Sequence, residues 1–131
     1  MANISSPIDH VGFSVVHYQK MLAFYDAVLA PFGIKRVLEK ENSCGYGIDR
    51  PFFWITVPKE GRPVTQGGHV AFVADSNEVV DAFYTAAIKA GGVDHGAPGE
   101  RERYPKGRYV AFVFDPEGNN VEGIFRGDVM E

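Results

Sequence analysis

The strongest constraint on this chain is that it is written twice. His10-Val11-Gly12-Phe13 and His69-Val70-Ala71-Phe72 stand 59 residues apart. At that offset, without a gap, Ala23-Phe24-Tyr25 falls on Ala82-Phe83-Tyr84, Ala27 on Ala86, Leu29 on Ile88, Gly33 on Gly92 and Ile34 on Val93. A register held over some 25 residues implies duplication; a shorter match would be coincidence. The period is too long and the copies too few for a solenoid. A chain of 131 residues is one domain's worth of protein. We therefore expect a single domain over 1–131, with one module at about 6–58 and a second at about 67–126.

Each copy reads as a strand, a helix and then further strands. Residues 8–16 alternate, with Val11, Phe13 and Val15 on one face and Ile8, His10, Gly12 and Ser14 on the other. From Tyr18 the period becomes helical: Tyr18, Met21, Leu22, Tyr25, Val28, Leu29 and Phe32 form one stripe, which Pro31 and Gly33 close. Strands are expected at 34–39, 44–49 and 52–57, and the Gly-, Pro- and charge-rich stretch 58–66 reads as the seam. The second copy opens with a strand at 68–74. Ser76 suits the N-cap of a helix running to about Ala90, where Gly91-Gly92 stops it. Val93 starts a short strand, 97–107 reads as a polar loop that either closes over the site or is solvated at the surface, and strands at 109–114 and 120–125 flank Asp115-Pro116-Glu117-Gly118-Asn119. Pro second and Gly fourth are turn chemistry.

Composition removes several function classes. With 13 basic against 17 acidic residues the net charge is −4, which disfavours a nucleic-acid partner. No basic run suits an acidic membrane surface, and no apolar run approaches the ~20 residues needed to span a bilayer. Residues 1–7 show no leader pattern. Cys44 is the single cysteine, so neither an internal disulfide nor a cysteine-based zinc site is available. These features lead us to expect a cytoplasmic protein.

The duplication also sharpens the chemistry. His10 and His69 hold equivalent places in the two first strands, on the face opposite the bulky apolar residues. If the copies face one another, both imidazoles turn towards a common centre. Glu122, between Val121 and Ile124 in the last strand, is an acidic residue in apolar surroundings, where an unpaired carboxylate is costly. Two imidazoles and one carboxylate suit a divalent ion and leave coordination positions open. Taken singly, each histidine reads equally as a packed or surface residue, and Glu122 as an edge-strand carboxylate; the shared offset is what sets the pair of histidines apart. His17 and His95 have no counterpart in the other copy and read as structural or exposed.

These residues, together with Asp115-Pro116-Glu117-Gly118-Asn119-Asn120-Val121-Glu122, resemble the vicinal oxygen chelate superfamily, which includes glyoxalases, extradiol dioxygenases, epimerases and bleomycin-resistance proteins. The likeness runs from Ile8 to Phe125. It implies an α+β fold of two tandem βαβββ modules, their mixed sheets curled around a central cavity. It also implies a divalent metal (Fe, Mn, Zn, Ni or Co) held by His10, His69 and Glu122. Lactoylglutathione lyases of the family add a fourth ligand from the last strand of the first module; here that strand, 52–57, offers none. The departure counts against glyoxalase I activity.

The resemblance implies a metal-dependent lyase, isomerase or dioxygenase acting on a small molecule with neighbouring oxygens. Glu122 and Tyr109 are the catalytic candidates, and Trp54, Phe52 and Tyr104 the candidate substrate-pocket residues, with Trp54 favouring a flat substrate. The aromatic residues read equally as packing. The alternative is a metal-free drug- or metabolite-binding protein of the resistance type. Small relatives of this kind pair across a two-fold axis, so a homodimer is expected; one site drawing ligands from one chain or from two remain equally open readings.

Overall fold

In the computed structural model, residues 6–127 are described. The opening stretch 1–5, part of the segment read above for a leader, lies outside the described residues. Two four-stranded mixed sheets are formed. In the first, β1 (Val11–Ser14) lies parallel to β4 (Pro51–Thr56), followed by β3 (Ser43–Gly47) and β2 (Lys35–Glu39), both antiparallel. In the second, β5 (His69–Ala74) lies parallel to β8 (Asn120–Phe125), followed by β7 (Tyr109–Phe114) and β6 (Val93–Gly99). The helices α1 (Tyr18–Leu29) and α2 (Asn77–Lys89) follow β1 and β5 and pack on each other. The fold is α+β, two βαβββ modules in tandem whose sheets do not close.

Local chemistry accounts for the elements. The stripe of α1 is buried as its spacing requires, and Phe24 joins it. A single 3-10 turn over Ala30–Phe32 ends the helix, and Gly33 takes the left-handed conformation (φ 76°) that a side chain would resist. The Ser76 hydroxyl accepts the Val79 N–H at 3.3 Å and caps α2. The strand β6 runs on to Gly99, into the stretch from Ala97 expected as loop; it is irregular, with register shifts against β7. Glycines and a proline disguise such a strand in the sequence.

The helix faces of both sheets share one core. The rings of Phe13 and Phe53 meet edge-on at 5.3 Å, as do those of Phe53 and Phe72; Phe32 continues the chain to Phe72 and Phe83. Phe13 and Phe53 belong to the first sheet and Phe72 to the second. The core therefore lies on the helix sides, and the faces bearing His10 and His69 turn away from it.

The Asp115–Asn119 turn holds the two modules together. Asp115 closes the turn through the Gly118 N–H and is itself buried. Its carboxylate accepts the Tyr25 hydroxyl of α1 at 2.7 Å, the Glu117 and Asn119 amides at 2.8 and 3.0 Å, and the Asn119 side chain at 3.0 Å. The Glu117 carboxylate accepts the Val16 and His17 amides at 2.8–3.0 Å, placing a negative charge at the start of α1, whose first turn has no acidic residue. Asn119 accepts the Gly68 N–H. The Thr65 hydroxyl and amide bond Ser14 on the outer edge of β1.

Candidate metal centre

Register places the site residues. Ala71 pairs with Glu122 across β5 and β8, and Phe112 with Glu122 across β8 and β7. Glu122 thus shares a face with His69 and Phe112, opposite α2. Its carboxylate is almost wholly buried. His69 Nε2 stands 3.3 Å from Glu122 Oε1, while His69 Nδ1 meets the Asn120 carbonyl at 2.9 Å. A carbonyl only accepts, so Nδ1 carries a proton, and the Nε2–Oε1 contact is held by a second proton whose place an ion could take. Metal-binding imidazoles are oriented in this way.

The second partner of the Glu122 carboxylate comes from the loop between β6 and β7. The Tyr104 hydroxyl donates to Glu122 Oε2 at 3.4 Å. The Arg103 guanidinium lies 5.2 Å from the centre of the Tyr104 ring and 5.5 Å from that of Phe112, and Arg101 lies 5.8 Å from Phe112. Through Tyr104 the loop reaches the sheet face beside Glu122, while Glu102, Arg103, Pro105 and Lys106 stay exposed. Burial pushes the Glu122 carboxyl above its ordinary range, opposed by His69, the Tyr104 hydroxyl and Arg103. The two arginines escaped the sequence reading because they alternate with Glu100 and Glu102, a pattern typical of a solvated run. Tyr104 and Pro105 within that run were the available signal.

His10 stands apart. It is exposed, and its Nδ1 pairs with Asp9 at 2.8 Å. Arg50 bonds the Asp9 carbonyl at 3.0 Å. His10 and His69 both border an open groove of about 570 Å³, lined by Phe52, Val11, Val70 and Val73 among others. Among the described residues, no three His, Cys, Asp or Glu side chains gather closely enough to hold an ion. The inward-facing arrangement expected above is not the one seen, because the modules join through their helix sides.

Tyr109 requires a correction. Its hydroxyl donates to Asp81 of α2 at 2.6 Å, so it lies on the helix face, away from Glu122, and is not placed to act on a substrate beside that carboxylate. Phe52 and Trp54 lie on the His10 side of β4, bordering different hollows. His95 stacks on Phe114 at 4.2 Å, and His17 precedes α1.

A duplicated βαβββ protein with a histidine–carboxylate pair in its second module is the class these features define. The chain belongs to the Glyoxalase/Bleomycin resistance protein/Dioxygenase superfamily, whose model matches residues 7–122. It is similar to the crystal structure of a glyoxalase/bleomycin resistance protein from Albidiferax ferrireducens T118, at 33% identity and TM-score 0.83, over 92% of this chain and 100% of that one. A glyoxalase/bleomycin resistance protein/dioxygenase family enzyme from Burkholderia phytofirmans PsJN shares the fold at 21% identity and TM-score 0.69, over 92% and 98% of the two chains. A lactoylglutathione lyase from Agrobacterium tumefaciens does so at 23% and 0.66, over 94% and 95%. No curated protein matches the chain. No helix among the described residues is long and apolar enough to cross a membrane.

Proposed function

We propose that this protein is a metal-dependent enzyme acting on a small molecule with two neighbouring oxygens, and that each centre is shared between two subunits. His69 and Glu122 of one subunit and His10 of the second would hold the ion. The observation that carries this reading is the His69–Glu122 pair: two potential ligand atoms 3.3 Å apart, with the imidazole already held through its Nδ1–H. His10 lies on a sheet face that the shared core leaves uncovered, within reach of a second copy rather than of its own chain's pair. The exposed Val73 on the His69 face and Ile8 beside His10 fit the same arrangement. A homodimer of this kind contains two equivalent centres.

The donor set fits a divalent ion of the borderline class, Fe, Mn, Zn, Ni or Co. When bound, such an ion supplies Lewis acidity towards paired oxygens. The chain's own residues supply the rest. Glu122 accepts the Tyr104 hydroxyl, which leaves the Tyr104 oxygen to accept from a substrate hydroxyl beside that carboxylate. The Arg103 guanidinium lies against the Tyr104 and Phe112 rings and favours the ionised form of Glu122.

Metal stoichiometry in mixed subunits tests the reading. His10→Ala and Glu122→Gln proteins should each bind less than a tenth of the wild-type metal. Unfolded together and refolded as a mixture, they should regain about a quarter of the wild-type content. Mixed dimers form half of the population, and each contains one centre without a lesion. No recovery in dimers shown to be mixed overturns the shared centre. Full metal binding by His10→Ala removes His10 from it.

The metal-free, ligand-sequestering reading is favoured by one observation, the apolar lining of the open groove. It expects His69→Ala to leave ligand affinity unchanged.

A further inference from the structure

We propose that the His10 face of the first sheet is a stacking platform for a planar, anionic small molecule, built from Trp54 and Lys40. Trp54 is the only tryptophan of the chain, and both of its cross-strand partners are glycines: Gly12 on β1 and Gly45 on β3. Side chains at those positions would meet the tryptophan. A Cβ on Gly12 would stand 3.1 Å from Trp54 Cβ, and one on Gly45 3.0 Å from the far edge of the indole and 2.6 Å from Pro51 Cβ. With neither present, the indole lies down across β3, one face on backbone and the other open. Above the open face is Lys40 Nζ, 5.6 Å from the ring centre. The hollow between them measures about 340 Å³, within the range of small-ligand sites, and is lined by His10, Gly12, Lys40, Ser43, Trp54 and Thr56.

Each part selects a property of the ligand. A flat indole face with no flanking side chains favours another flat ring over a puckered one. The Lys40 ammonium, now resting on the ring, is free to swing onto a carboxylate at the ligand's edge, and the Ser43 and Thr56 hydroxyls offer polar contacts. His10 forms one wall, so a molecule stacked here reaches towards the proposed centre. The inference deepens the functional reading by naming the substrate class of that site: a planar aromatic acid.

The indole N–H of Trp54 gives one resonance in a nitrogen-correlated NMR spectrum, a direct reporter at the platform. The probes are naphthoate, its neutral amide and cyclohexanecarboxylate, added to chelator-treated full-length protein. Naphthoate should move the resonance and saturate. The amide should bind about three- to fivefold more weakly, and the non-planar acid should not move it. Lys40→Gln should bring naphthoate down to the affinity of the amide. Trp54→Leu should cost at least about tenfold by calorimetry, the scale of a lost aromatic stack. Equal shifts with cyclohexanecarboxylate, no shift with naphthoate, or binding that needs added metal would each overturn the platform. So would a resonance that moves on dilution without ligand, because a second copy would then cover the indole. The naphthoate titration is run without metal and the mixed-subunit metal assay without naphthoate, so a failed metal centre and a failed platform are told apart.

Discussion

Removing the Tyr25 hydroxyl tests whether the Asp115 turn joins the two modules. Tyr25 is fully buried on α1, and its 2.7 Å bond to Asp115 crosses from the first module to the second. Tyr25→Phe keeps the ring and its edge-on contact with Phe24, so the loss is confined to one hydrogen bond to a carboxylate. Such bonds contribute about 1.5–3 kcal/mol. The Asp115 carboxylate retains the two amide donors and the Asn119 side chain, so the expected cost is near 2 kcal/mol, about a thirtyfold change in the folding equilibrium. With a urea slope of about 1–3 kcal/mol per molar, the midpoint should fall by about 1 M. Asp115→Asn discriminates further. Oδ1 receives both backbone amides, whereas Oδ2 receives the phenol and the Asn119 side chain. An asparagine that leaves its oxygen at Oδ1 keeps the turn, and the phenol can rotate to accept, while the Asn119 side-chain N–H loses its acceptor. Asp115→Ala strands every donor and should cost more than about 4 kcal/mol, in the range reserved for broken buried networks. A Tyr25→Phe loss under about 0.5 kcal/mol, or Asp115→Asn as damaging as Asp115→Ala, would refute the argument.

Two further outcomes follow from the same side chains. Burial first, and Asp115 second, push the Tyr25 phenol well above its ordinary range; burial and Asp26 push Tyr46 up likewise. An unfolded tyrosine releases its proton near pH 10, while the folded protein keeps both, so stability is intact below about pH 10 and falls as pH rises beyond it. Each phenol contributes about 1.4 kcal/mol per pH unit to that fall. Tyr25→Phe should reduce the slope by that amount, and an unchanged alkaline slope in urea melts would count against it. Glu122→Gln should abolish metal binding yet leave the metal-free protein at least as stable as the wild type, because the buried ionised carboxyl is costly to hold. A fall of more than about 1 kcal/mol in the chelated protein would instead assign Glu122 a structural role.

Most of the local structure is legible in the sequence, the irregular β6 apart. The strands Tyr109–Phe114 and Asn120–Phe125, the α1 stripe and the Ser76 cap stand where periodicity and capping chemistry put them. Tyr109 was within reach of the same logic. Once the hairpin over Asp115–Asn119 pairs Phe112 with Glu122, a strand's two-residue period sets Tyr109, Ala111 and Val113 on the other face. Nearness to Glu122 in the hairpin is not nearness in the site.

The packing of the two copies was not legible, and the reason is physical. Alternation tells which face of a strand is apolar, but not what will cover it. Phe13 and Phe72 mark the core faces of their sheets in either a closed barrel or a helix-sided pairing. The choice rests on the Phe13–Phe53–Phe72 ring contacts and on Asp115 reaching Tyr25, both between residues far apart in the chain. That choice also decides the chemistry. By joining the helix sides, the fold spends its apolar surface on one core and leaves His10 and the His69–Glu122 pair on outward faces. On the proposed reading, the duplication supplies two half-sites that a second copy closes, and the residue that completes either one is present in every copy.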